Sequence, residues 1–108
     1  MNVTSQWQGQ HCTLKVEQEM AIHTAAAIKD ALFEPLAEAT TLTLDLSQVT
    51  ELDTAGVQLL LLLHREVLRR KLTWKLLPVS QAVDEVISLY QLRPILCESN
   101  KDQGGERL

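Results

Sequence analysis

The chain has 108 residues and a mass of 12.1 kDa, enough for one ordinary domain and too little for two. Apolar residues make up 45% and charged residues 22%, a balance that excludes a disordered chain. A formal net charge of −4 and an aromatic content of 4% exclude a general nucleic-acid binder, which needs a basic face and stacking rings, and leave Leu, Val, Ile and Ala to build the core.

The N-terminal stretch Met1-Asn2-Val3-Thr4-Ser5-Gln6-Trp7 has neither the basic start nor the apolar run of a secretory signal. From Cys12 to Glu17, apolar Cys12, Leu14 and Val16 alternate with Thr13, Lys15 and Glu17, the period of a half-buried strand. The period then changes. Ala25, Ile28, Leu32, Leu36 and Ala39 share one side of a helical wheel, with Thr24 as the expected N-cap and a kink expected at Pro35, which has no N–H to donate. Thr41 to Val49 alternates again, with Leu42, Leu44 and Leu46 on one face, and predicts a central strand. The turn Thr50–Thr54 leads into a helix expected from about Ala55 to Arg70. A strand is expected over Thr73 to Val79, then a helix capped by Ser80 whose face carries Val83, Val86, Ile87 and Tyr90. Ile95 to Cys97 offers a short edge strand, and residues 99–108 read as a frayed tail. The longest apolar run, Leu59 to Leu63, is far short of the roughly 20 residues that cross a bilayer. A cytoplasmic protein with no direct membrane insertion is therefore expected, with Cys12 and Cys97 as reduced, partly buried thiols.

Strands alternating with helices predict an α/β fold: a single domain over residues 1–98 with a mixed sheet of four to five strands and helices packed mainly on one face. Within it, Asp53-Thr54-Ala55-Gly56 joins the central strand to the Leu-rich helix. Thr54 is a hydroxyl at a helix N-terminus, where unpaired N–H groups and the helix dipole favour an added anion. A phosphate there would also stand beside the Asp53 carboxylate and disturb an acidic or closely fitted partner. Gly56 permits close approach of another chain. On physics alone, the plainer reading of Asp53 or Thr54 is a helix cap.

Leu44-Asp45-Leu46-Ser47-Gln48-Val49, Leu52-Asp53-Thr54-Ala55-Gly56 and Leu59-Leu60 together resemble the signature of the STAS domain family, which includes bacterial anti-sigma factor antagonists. The likeness continues through Ala25 to Leu36, Leu76-Leu77-Pro78-Val79-Ser80, Val83 and Leu89 to Leu92. It implies that the hydroxyl after the Asp, Thr54, is phosphorylated by a Ser/Thr kinase, the unmodified form binding its partner and the modified form releasing it. Many antagonists carry Gly-Glu-Leu-Asp before the first helix, where this chain reads Gln18-Glu19-Met20-Ala21. In this region the chain looks most like small stand-alone STAS proteins of chemotaxis clusters. It also resembles the accessory subunit of lipid-asymmetry ABC transporters, in which a Thr at this site contacts the ATPase constitutively.

Counted from Val57 at 100° per residue, Val57, Leu60, Leu61, Val67 and Leu68 form an apolar face, with His64 as a core histidine on it. Gln58, Arg65, Glu66 and Arg69 lie opposite; Leu59 and Leu62 fall on that polar side and Leu63 at its border. These leucines are either a partner-binding patch beside Thr54 or are covered by a neighbouring element. Arg65, Arg69, Arg70 and Lys71 read as a solvated helix end. No nucleophile–base pair, cofactor loop or metal-ligand spacing is legible, so neither catalytic residues nor a cofactor or metal are expected. The expectation is a non-catalytic module, monomer or weak dimer, that binds a kinase, anti-sigma factor or signalling protein through Asp53, Thr54, Ala55, Gly56, Gln58, Leu59, Leu62 and Leu63.

Overall fold

Leu42, Leu44 and Leu46 are fully buried on one side of β3 (Thr41–Leu52), while Thr41, Thr43 and Asp45 stand half-exposed on the other. The same split governs β2 (His11–Met20), where Cys12, Leu14 and Val16 are buried. A computed structural model describes residues 2–97 of the chain; the expected tail, 99–108, lies outside them. Among the described residues the sheet has four strands in the order β1 (Val3–Gln8), β2, β3, β4 (Thr73–Leu76). β1 pairs antiparallel with β2, and β2, β3 and β4 run parallel, so β3 is central as its alternation predicts. The two parallel crossovers carry α1 (Ile22–Phe33) and α2 (Thr54–Arg69), and right-handed connections put both on the same face. α3 (Gln81–Leu89) and a single turn, α4 (Arg93–Leu96), complete that layer.

Five expectations about the elements change. β3 runs on to Leu52 and α2 starts at Thr54, so the expected turn Thr50–Thr54 shrinks to the single residue Asp53. β1 escaped the sequence reading because Thr4, Ser5, Gln6 and Gln8 give an edge strand little apolar alternation. A two-residue turn at Gly9-Gln10, with Gly9 at φ +63°, returns it to β2. Ile95–Cys97 is no strand. Arg93–Leu96 is helical, Leu96 is buried, and its carbonyl accepts a hydrogen bond from the Trp74 indole N–H at 2.8 Å. Trp74 is fully buried, and an indole N–H left without an acceptor there costs about 1–3 kcal/mol, so the turn is held where that carbonyl is needed. β4 stops at Leu76, short of Val79; Pro78 lacks a donor and Ser80 already accepts from the Val83 N–H as the cap of α3. Tyr90 falls just past α3 and is exposed, leaving Val83 and Ile87 as its buried face.

Ile28 and Leu32 bury the inner face of α1 as expected, and the helix gives way at Pro35 to a 3-10 turn over Glu34–Ala37. His64 packs edge-on against Trp74, ring centroids 4.9 Å apart, and its burial lowers the imidazole pKa. Cys12 is buried and its thiol pKa is raised by desolvation. No described helix is long and apolar enough to cross a membrane.

Candidate functional site

Two helices begin side by side at the ends of adjacent parallel strands. α1 and α2 each start one residue after their strand, with Ala21 between β2 and α1 and Asp53 between β3 and α2. The cap of α2 is Asp53, at φ −109°, whose Oδ1 accepts the Gly56 N–H at 3.1 Å. Its other oxygen, Oδ2, accepts the N–H of Ile22, the first residue of α1, at 3.0 Å. One carboxylate therefore caps both helices. α1 needs this long-range cap because its own N-cap is Ala21, which has no side-chain acceptor. Thr24, expected as the cap, sits at the third helical position, where its Oγ1 accepts the Ala21 N–H and donates to the Glu19 carbonyl. The Ile22 hydrogen bond, then the Gly56 one, hold the Asp53 carboxyl below its ordinary pKa.

Gly56 closes the junction from inside. A Cβ on it would stand 2.1 Å from the Met20 carbonyl oxygen and 2.6 Å from a Leu52 methyl. Its missing side chain serves the approach of this chain's own β2 end, and the expectation that it admits another chain is corrected. Asp53 N–H donates to that same Met20 carbonyl at 3.3 Å.

This contact also sets the rotation of α2. The buried stripe is Gly56, Leu59, Leu60, Leu63 and Val67, with Val57 at its margin. It is turned from the expected face by roughly a fifth of a turn. Leu59 is 5% exposed and Leu63 fully buried, so neither is available as contact surface, correcting that expectation. Leu61 is half-buried, and Leu68, expected inside, is exposed. Five leucines in a row leave the sequence nearly silent about which face turns inward; Gly56 was the legible signal.

What remains outside is a strip along α2 of Thr54, Gln58 and Leu62, four residues apart, about 12 Å long at 1.5 Å rise per residue. Thr54 is the first residue of the helix and exposed, and its hydroxyl makes no hydrogen bond within the described protein. Ala55 is half-buried and Leu62 is 45% exposed. The sequence reading missed Ile22, whose side chain is 70% exposed although its amide is tied to Asp53, so that it stands at the head of the strip. Its signal was the uncapped Ala21 before it. Exposed His23 follows.

The departures from the antagonist pattern have visible consequences. Gln18, where that pattern has Gly, takes φ +71° at a register shift between β2 and β3, a left-handed conformation unfavourable for a residue with Cβ. Ala21, where it has Asp, leaves α1 to be capped by Asp53.

At the far end of α2, Glu66 bridges Arg69 and Arg70 at 2.6 and 2.7 Å, and Arg69 first, then Arg70, lower its pKa to about 2. The expected basic cluster is thus partly neutralised. No group of His, Cys, Asp and Glu suited to a metal occurs among the described residues.

The family model described as Mlab, STAS domain matches residues 3–96. No curated protein sequence matches the chain. Among solved structures, an anti-sigma factor antagonist from Mycobacterium paratuberculosis is similar at 20% identity and a TM-score of 0.76, covering 85% of this chain and 79% of its own. The anti-sigma factor antagonist SpoIIAA in its unphosphorylated form is similar at 18% identity and a TM-score of 0.73, covering 97% and 94%. The phosphorylated form of the Bacillus cell fate determinant SpoIIAA gives a TM-score of 0.69 at 18% identity, covering 97% of each chain.

Proposed function

The chain belongs to the STAS domain family, and from that premise we propose that it is a non-catalytic cytoplasmic signalling module whose binding to a protein partner is controlled by phosphorylation of Thr54. The partner is a Ser/Thr kinase of the anti-sigma factor type or a chemotaxis-type signalling protein. It docks on the strip that runs from Ile22 and Thr54 through Gln58 to Leu62. The observation that carries this reading is the Thr54 hydroxyl, exposed and without a hydrogen bond among the described residues, at the first residue of α2.

The junction supplies a mechanism for release. A phosphate on Thr54 adds about −1.5 to −2 charges directly after a carboxylate that stays ionised. The Gly56 and Ile22 N–H groups that would otherwise receive it are already held by Asp53. The new charge therefore stays at the surface, repels acidic groups and keeps water over Ile22 and Leu62.

The test is to incubate the protein with its cognate kinase and ATP, map the modification by mass spectrometry, and compare partner affinity of wild type, Thr54→Glu and Leu62→Glu. Modification at Thr54, with both variants losing the partner, supports the reading. Absence of modification, together with unchanged affinity of Thr54→Glu, refutes the switch.

A second reading is favoured by the family model, which bears the name Mlab and not that of the antagonists. On it, the same strip holds the ATPase of a lipid ABC transporter constitutively. An ATPase complex that survives Thr54→Glu and is lost in Leu62→Glu distinguishes it.

A further inference from the structure

Among the described residues β1 is an edge strand of the sheet, and its own sequence carries none of the usual protection of an edge. Its sequence, Val3-Thr4-Ser5-Gln6-Trp7-Gln8, contains no charge and no proline. The opposite edge, β4, is four residues long and presents exposed Lys75. The direction of the unpaired backbone groups on β1 follows from the ladder. Glu17 N–H donates to the Asn2 carbonyl at 2.9 Å, in line with the register Val3↔Val16. Hydrogen-bonded and non-hydrogen-bonded pairs alternate in an antiparallel ladder. Thr4, Gln6 and Gln8 therefore bond inward to Lys15, Thr13 and His11. Val3, Ser5 and Trp7 turn their N–H and C=O groups outward, to the free edge.

These outward groups are symmetric about Ser5. We propose that β1 is a self-association edge, pairing antiparallel with β1 of a second copy of this chain about a two-fold axis at Ser5. Ser5 then faces Ser5 of the second copy, and Val3 and Trp7 of each chain face Trp7 and Val3 of the other. All three are hydrogen-bonded pairs, giving about six backbone bonds between chains.

The side chains agree with this register. Val3, Ser5 and Trp7 share the helix-side face with their partners Val16, Leu14 and Cys12. Val3 is half-buried and Trp7 is 44% exposed, so each indole gains the second copy's valine as a cross-strand neighbour. On the open face Thr4 meets Gln6 of the second copy, neutral against neutral. The strand itself sets no charge opposite a charge, while exposed Glu34 and Glu38, which flank Val3, Ser5 and Trp7 on the helix side, come to the same side from both copies and weaken the contact. A strand of six residues is a small contact, so the dimer is weak and depends on concentration.

Sedimentation velocity of the full chain from about 1 μM to about 500 μM reads the state directly. Wild type is expected to pass from one chain to two within that range. Ser5→Pro removes only an outward N–H and is expected to weaken association at least about tenfold, with the melting temperature at low concentration within about 2 °C of wild type. Ser5→Lys places two ammonium groups across the axis and is expected to do the same; it decides the matter should the proline variant fail to fold. A wild type that stays monomeric throughout overturns the proposal, as does a dimer untouched by folded variants. Thr54→Glu is expected to dimerise like wild type, so this result and the fate of the Thr54 switch are read independently.

Discussion

Replacing Gly56 with Ala sets two effects of opposite sign against each other. Helix propensity alone favours alanine by about 0.8–1 kcal/mol, so on local grounds the variant is more stable. The tertiary contact opposes this. The new methyl would stand 2.1 Å from the Met20 carbonyl oxygen and 2.9 Å from the Met20 carbonyl carbon, and neither is a flexible chain end. Relief requires moving the start of α2 off the end of β2. Overpacking of this kind costs about 1–3 kcal/mol, and a backbone obstacle puts it at the upper end. The net expectation is a loss of about 2 kcal/mol, or roughly 10 °C in melting temperature for a domain of this size. Thermal and urea unfolding by circular dichroism measure it. The Ile22 and Gly56 amides, both bonded to Asp53, are expected to exchange with solvent faster in the same variant. A Gly56→Ala protein as stable as wild type, or more so, would refute the account of what rotates α2.

Other outcomes follow from the same geometry. Leu59→Ala is expected to cost about 2–4 kcal/mol in urea unfolding and Leu62→Ala less than about 1, because the first side chain is buried and the second half in water. His64 has its pKa lowered by burial, so the unfolded chain binds its proton more readily; stability is expected to fall as pH drops below about 6.5, and His64→Gln is expected to flatten that slope in pH-dependent melts. The Asp53 carboxyl, also lowered, adds a separate loss below about pH 4, absent in Asp53→Asn. Gln18→Gly relieves a left-handed residue and is expected to stabilise by about 0.5 kcal/mol, seen as a small rise in melting temperature.

The amino-acid sequence by itself determined the alternation of Leu42, Leu44 and Leu46, the amphipathic stripe through Ile28 and Leu32, the break at Pro35 and the cap at Ser80. From these come the α/β class, the central strand and the place of the turn at Asp53 and Thr54. Each rests on the period of side chains along one segment, or on a residue's own backbone limits, and such properties are local. Tertiary structure decided the rest. α2 is apolar on too many sides for its wheel to choose an inward face, and the contact of Gly56 with Met20 from another strand chose it, burying Leu59 and Leu63 and leaving Thr54, Gln58 and Leu62 in water. The double role of Asp53 depends on Ile22, 31 residues earlier, and the helical turn at Leu96 depends on Trp74. Such partners are brought together only when the sheet orders its strands, so no reading of one segment contains them.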